Sequence, residues 1–108
     1  MTGITTHVLD AALGRPAAGV RVRLEGPDAA VLAEARTDAD GRVRDFGLPG
    51  LPVGTHRLVF ATGEYFAASD RPTFYPEIVV AFSVTAADEH HHVPLLLSPF
   101  AYSTYRGS

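Results

Sequence analysis

Side chains alternate with a period of two along most of this chain, and that pattern limits its possible folds more than any other feature. In Val20-Arg-Val-Arg-Leu-Glu25 the alternation is strict, with Val20, Val22 and Leu24 on one side and Arg21, Arg23 and Glu25 on the other. Successive side chains of an extended strand point to opposite faces, so this segment reads as a strand with one face on a core. Gly26-Pro27-Asp28 ends it, and residues 30–36 follow as its hairpin partner. Thr37-Asp-Ala-Asp-Gly41 is a turn, because Asp and Gly accept the backbone angles of a tight reversal. A short strand restarts at Arg42 and runs to Phe46, a Gly/Pro loop occupies 47–54, and another strand covers 55–61.

The period changes once. Thr62-Gly-Glu-Tyr-Phe-Ala-Ala-Ser69 opens on a capping residue, continues in helix formers and is stopped by Pro72. Residues 78–84 are apolar on both faces, as if one face met the core and the other a second surface. An acidic turn at 86–89 precedes the strand His90-His-His-Val-Pro-Leu-Leu-Leu97, and Ser98-Pro99 turns into a last strand. The sum is eight short strands and one small helix: a single all-β sandwich domain over residues 1–108, with no repeat and no linker.

The totals remove several function classes. A net charge of −3 offers no electrostatic footprint for nucleic acid. No apolar run approaches the roughly 20 residues that span a bilayer. The N-terminus lacks the basic start and apolar stretch of a signal peptide, and Arg-Gly-Ser is not a peroxisomal address, so a cytoplasmic location is expected. All nine basic residues are arginine, so a cationic site group other than histidine or the N-terminus has to be an arginine.

Five histidines, three of them consecutive, are the first candidates for chemistry. In a strand His91 shares the side of Val93, Leu95 and Leu97, the core side, and His90 and His92 take the other. His7 alternates against Thr6 and Val8 and can likewise face away from the core. Histidine titrates near neutrality, which suits proton transfer, and it is the commonest zinc ligand. His90 and His92, with His7 as a third, could start a zinc site. No cysteine or well-placed carboxylate completes one, so neither metal nor cofactor is expected. His56 beside the Gly/Pro loop is given no role. Asp38-Ala-Asp-Gly41 lacks the further acidic ligands of a calcium loop. The ending Phe100-Ala-Tyr-Ser-Thr-Tyr-Arg-Gly-Ser108 is too aromatic for a free tail, and its tyrosine rings are expected to be docked.

Thr6-His-Val-Leu-Asp10, Gly14-Arg-Pro-Ala-Ala-Gly-Val20, Thr37-Asp-Ala-Asp-Gly-Arg42, Phe74-Tyr-Pro-Glu77, His92-Val-Pro-Leu-Leu-Leu-Ser-Pro99 and Tyr102-Ser-Thr-Tyr-Arg-Gly-Ser108 follow one another in an order that resembles the 5-hydroxyisourate hydrolases, the transthyretin-related enzymes of urate breakdown. The resemblance spans the whole chain, and its most diagnostic motif is the terminal Tyr-Arg-Gly-Ser. It implies a transthyretin-like (prealbumin-like) sandwich of two four-stranded sheets with one short helix. It also implies a homotetramer, a dimer of dimers with sites where the dimers meet. The implied reaction opens 5-hydroxyisourate, an unstable product of urate oxidation, at a cyclic amide bond to give 2-oxo-4-hydroxy-4-carboxy-5-ureidoimidazoline. Carried over residue by residue, the site is His7, Arg42 and His92 for catalysis, with Tyr105, Arg106, Gly107 and Ser108 of the tail. His7, Arg42, Tyr105, Arg106 and Ser108 would bind substrate, and the general base would be His92 or His7. Two departures stand out: His91 replaces a common aromatic residue, with the potential to perturb His92, and Phe100-Ala101 replaces a more usual Tyr-Gly. The rival readings are a transthyretin-like small-ligand carrier and a non-enzymatic sandwich module.

Overall fold

A computed structural model describes residues 3–108; Met1 and Thr2, the first two residues of the expected domain, lie outside that description. The chain forms strands β1 (Gly3–Asp10), β2 (Arg15–Pro16), β3 (Arg21–Glu25), β4 (Val31–Arg36), β5 (Arg42–Val43) and β6 (Gly54–Phe60), then helix α1 (Thr62–Ala68), then β7 (Ile78–Val84), β8 (His90–Ser98) and β9 (Ala101–Thr104). One sheet has the order β4-β3-β6-β7. The other has the order β2-β1-β8-β9, with β5 also on β1. This is the expected all-β sandwich with one short helix. The extra strand arises because β2 and β5, two residues each, lie end to end along the edge of β1 that β8 leaves open. β5 stops at Val43, short of the expected Phe46, because Asp45 Oδ1 accepts the Gly47 amide and turns the chain away.

Alternation sorts the residues as the period-two pattern predicts. Val20, Val22 and Leu24 are buried, and they meet Ile4, Val8, Leu58, Phe60, Val80, Leu95 and Leu97 between the sheets. Each buried aliphatic side chain contributes on the order of 1.5–3 kcal/mol. His56, fully buried, stacks on Phe82 with ring centroids 5.7 Å apart and belongs to this interior. Helix α1 lies where the sequence predicts, but Thr62 is not its cap. The N-cap is Ala61, and the buried Thr62 hydroxyl donates instead to the Tyr75 carbonyl at 3.0 Å, tying the helix to the segment that follows it. Among the described residues, no helix is long and apolar enough to cross a membrane.

One buried polar cluster was not legible in the sequence. Asp10, with no exposed surface, accepts hydrogen bonds from the Tyr65 hydroxyl and the Arg71 guanidinium, both at 2.7 Å, and from the Leu13 amide at 3.0 Å. The Arg71 guanidinium also lies 4.9 Å from the centre of the Phe66 ring. Residues 55 and 61 positions apart thereby pin α1 and its exit to the end of β1.

Candidate active site

Two strands of opposite character lie side by side and in parallel. β1 buries Ile4, Thr6, Val8 and Asp10, which turns Thr5 and His7 to the outer face. β8 buries His91, Val93, Leu95 and Leu97, which turns His90 and His92 to that same face. The parallel register sets Thr5 beside His92 and His7 beside Pro94, so the two histidines are diagonal neighbours. Arg42 arrives from the opposite edge, paired with His7. Its position follows from the turn before it. Asp38 Oδ1 accepts the Asp40 and Arg42 amides, both at 2.9 Å, and Gly41 takes a positive φ of 77°. A Cβ on Gly41 would stand 2.3 Å from the Val8 carbonyl oxygen, so the turn sits tight on β1 only because this residue is glycine.

The tail returns to β8 after a gap. In the register that pairs Leu95 with Thr104, Pro94 would face Tyr105 and His92 would face Gly107. The Gly107 amide does donate to the His92 carbonyl at 2.8 Å, but Pro94 has no N–H for Tyr105, so β9 stops at Thr104. A Cβ on Gly107 would lie 2.4 Å from His92 Cδ2, which makes the glycine the seat of the His92 ring.

Thr5, Arg42, His90, His92 and Ser108, with Thr6, Val43 and Arg44, line an open cavity of about 400 Å³. Arg21, Arg23, Arg44, Arg71 and Arg106 each pair with a carboxylate, whereas the Arg42 side chain has no such partner among the described residues. Burial lowers the His92 pKa from 6.5, and the neighbouring Arg42, His7 and His90 push it further down, against a hydrogen bond to the Thr5 backbone that works to raise it. His91, the expected disturber of His92, is absent from these causes. It is buried instead against Phe82, with Nε2 3.9 Å from Glu89. His7 Nε2 lies 2.9 Å from the Asp40 carbonyl oxygen. A carbonyl only accepts, so Nε2 carries the proton and the neutral ring keeps its lone pair on Nδ1.

His92, Arg42 and Ser108 therefore share one cavity; His7 does not line it but is the strand partner of Arg42. Tyr105 and Arg106 go elsewhere. They line a second cavity of about 340 Å³ with Phe82, His91, His92 and Thr104, and Arg106 pairs with Glu89. The docking expected of the tyrosine rings is also incomplete: Tyr105 is 60% exposed and Tyr102 41%, although Tyr102 packs edge-on against Tyr75 at 5.2 Å. Gly107 ties the end of the tail to the sheet by a backbone bridge to His92. Thr5 and Arg44 do not stand out in the sequence as site residues; the one signal for Thr5 is its place two residues before His7 on the same face. Among the described residues, no group of three or more His, Cys, Asp or Glu side chains is arranged to hold a metal ion.

Comparison with known proteins adds an independent line. Residues 4–107 match the model of the HIUase/Transthyretin family. The chain is 52% identical to a 5-hydroxyisourate hydrolase of Caulobacter vibrioides, with each protein covered in full. The structure of Klebsiella pneumoniae 5-hydroxyisourate hydrolase superposes with a TM-score of 0.90 at 37% identity, covering 100% of this chain and 94% of that one. Transthyretin from Sparus aurata superposes with a TM-score of 0.91 at 27% identity, covering 99% and 97%.

Proposed function

The chain belongs to the HIUase/Transthyretin family, and from that membership we propose that it is a hydrolase opening the ring of 5-hydroxyisourate at a cyclic amide bond, in urate catabolism. Backbone similarity does not separate hydrolase from carrier, because a transthyretin superposes as well as a hydrolase does. The cavity favours the hydrolase. Arg42, without a carboxylate partner among the described residues, stands with His92, Thr5 and Ser108 around a space of about 400 Å³, a polar set poorly matched to an apolar ligand.

Amide hydrolysis needs an activated water, a stabilised oxyanion and a proton for the leaving nitrogen. A neutral histidine takes a proton from water and returns one later. Burial and the charge of Arg42 favour the neutral form of His92. Arg42 keeps its proton throughout and so suits the substrate carbonyls and the charge that develops on them. Ser108 would orient the ring or the water through its hydroxyl. Tyr105 and Arg106, turned to the second cavity in the single chain, would contribute in the assembled protein.

We read the chain as one domain of a homotetramer, a dimer of dimers with its sites where dimers meet, working in the cytoplasm on a small-molecule substrate. Support for the assembly comes from β7, an edge strand whose outward side carries Val79, 47% exposed, and the exposed Ala81. The test is to generate 5-hydroxyisourate from urate with urate oxidase and follow its ultraviolet decay with and without the protein. Acceleration is expected, and an unchanged decay rate would end the hydrolase reading. Loss of the acceleration on adding a chelator would restore the metal site that the sequence argued against.

A further inference from the structure

Arg42 and Arg44 stand two residues apart and line the same cavity, but their charges are spent differently. Arg44 Nη2 lies 3.1 Å from Asp40 Oδ2, and its Nε lies 3.5 Å from Asp38 Oδ2. The Arg42 guanidinium pairs with neither carboxylate, although both belong to the turn that carries it. Asp38 has further partners: its Oδ1 accepts the Arg42 and Asp40 amides, and the Arg42 amide does most to hold its carboxyl below the ordinary value. The Asp40 carboxylate has Arg44 alone, among the described residues.

Asp40 is also the carboxylate placed to compete for Arg42. Its carbonyl oxygen lies 2.9 Å from His7 Nε2, and His7 is the strand partner of Arg42, so the two residues are neighbours across the turn. Without Arg44, the Asp40 carboxylate would be left with Arg42 as the unpaired cation beside it. That pairing would cancel the charge the cavity offers to a substrate oxygen. We propose that Arg44 is a positioning residue: it occupies Asp40 and so keeps the Arg42 guanidinium free for the substrate.

This inference rests on the hydrolase reading for its catalytic meaning, but its central statement is measurable without turnover. After burial, the charges that lower the His92 pKa are those of Arg42, His7 and His90, and Arg44 is not among them. Loss of the Arg44 charge by itself therefore leaves His92 where it is, whereas capture of Arg42 by Asp40 moves the His92 titration point up toward 6.5. NMR titration of the whole chain should show that rise in Arg44→Met. In the decay assay the same variant should lose about 2- to 5-fold in kcat/KM, the strength of one exposed ion pair set against the substrate. Arg44→Lys, which keeps a cation for Asp40, should stay near wild type in both measurements. Adding Asp40→Asn to Arg44→Met removes the competing charge, keeps the backbone carbonyl that faces His7, and should restore both. An Arg44→Met protein with a wild-type His92 titration would overturn the proposal. So would a shift that persists after Asp40→Asn, because a loosened turn would then be its cause. Arg44 is largely exposed, so these variants should fold; if Arg44→Met does not, Arg44→Gln makes the same comparison. Wild-type protein that leaves 5-hydroxyisourate decay unchanged would remove the hydrolase reading instead, and the titrations would still report which cation Asp40 holds.

Discussion

Among the described residues Arg42, like Arg15, Arg36 and Arg57, has no carboxylate partner, whereas Arg21, Arg23, Arg44, Arg71 and Arg106 do; of the unpaired four, Arg42 is the one on the cavity with His92. A guanidinium left unpaired beside a cavity is ready for a substrate oxygen, and removing an oxyanion donor typically costs about 100- to 1,000-fold in turnover. Arg42→Ala should lose that much kcat in the decay assay. The same variant should raise the His92 titration point toward 6.5 by NMR, because one of the charges that depress it has gone. Near-wild-type turnover would return Arg42 to a surface charge. Asp10 makes a different point. Burial works to raise its pKa, but Arg71, the Leu13 amide and the Tyr65 hydroxyl together hold it below 3.8. The folded state therefore binds its proton less readily than the unfolded state does. The stabilisation is fully present above pH 3.8 and is lost as pH falls through the depressed value. Arg71→Met strands the buried carboxylate and should cost about 3–5 kcal/mol by urea unfolding at neutral pH. An unfolding midpoint unchanged by that substitution would show that Tyr65 and the Leu13 amide suffice. His7 and His92 were legible as outward residues because alternation is local. Thr5 and Asp10 were not, since their importance comes from partners 85, 87, 55 and 61 positions away.

At the scale of elements, the tail is the most specific piece. Pro94 interrupts the ladder, and Gly107 rejoins it while leaving room for the His92 ring. Gly107→Ala would put a methyl 2.4 Å from His92 Cδ2, so the ring or the tail has to move. A displacement near 1 Å at a reacting group can cost about 100-fold in rate. The variant should stay folded by circular dichroism and lose turnover on that order. Deleting residues 105–108 should likewise spare the fold and abolish hydrolysis; a truncated protein that still accelerates decay would reduce the tail to packing. Motif order singled out this ending, but the break at Pro94 and the turning of Arg106 toward Glu89 emerged only once β9 had been placed against β8. Helix α1 shows the same limit. Its helix formers and Pro72 located it, while the Thr62 hydroxyl went to Tyr75, a partner local propensity does not see.

For the whole molecule, two sheets enclose one core and leave apolar and aromatic surface outside it. Val79 on β7, Phe74 and Phe100 stay 47%, 72% and 67% exposed in the single chain. A dimer of dimers would cover part of that surface. Light scattering on the full chain should then report about four times its 11.5 kDa, and a monomer mass would count against the proposed site between dimers. The two-sheet architecture, the outward face of His7 and His92, and the turn that carries Arg42 were determined by the sequence alone. Period-two alternation and Asp-Gly turn chemistry act over a few residues and need no knowledge of the rest. Only the tertiary structure decided that β1 lies parallel to β8, that Thr5 bridges His90 and His92, and that Asp10 holds Arg71. Strand register is set by how whole hydrophobic faces fit across the sandwich, and no short window of residues contains that fit.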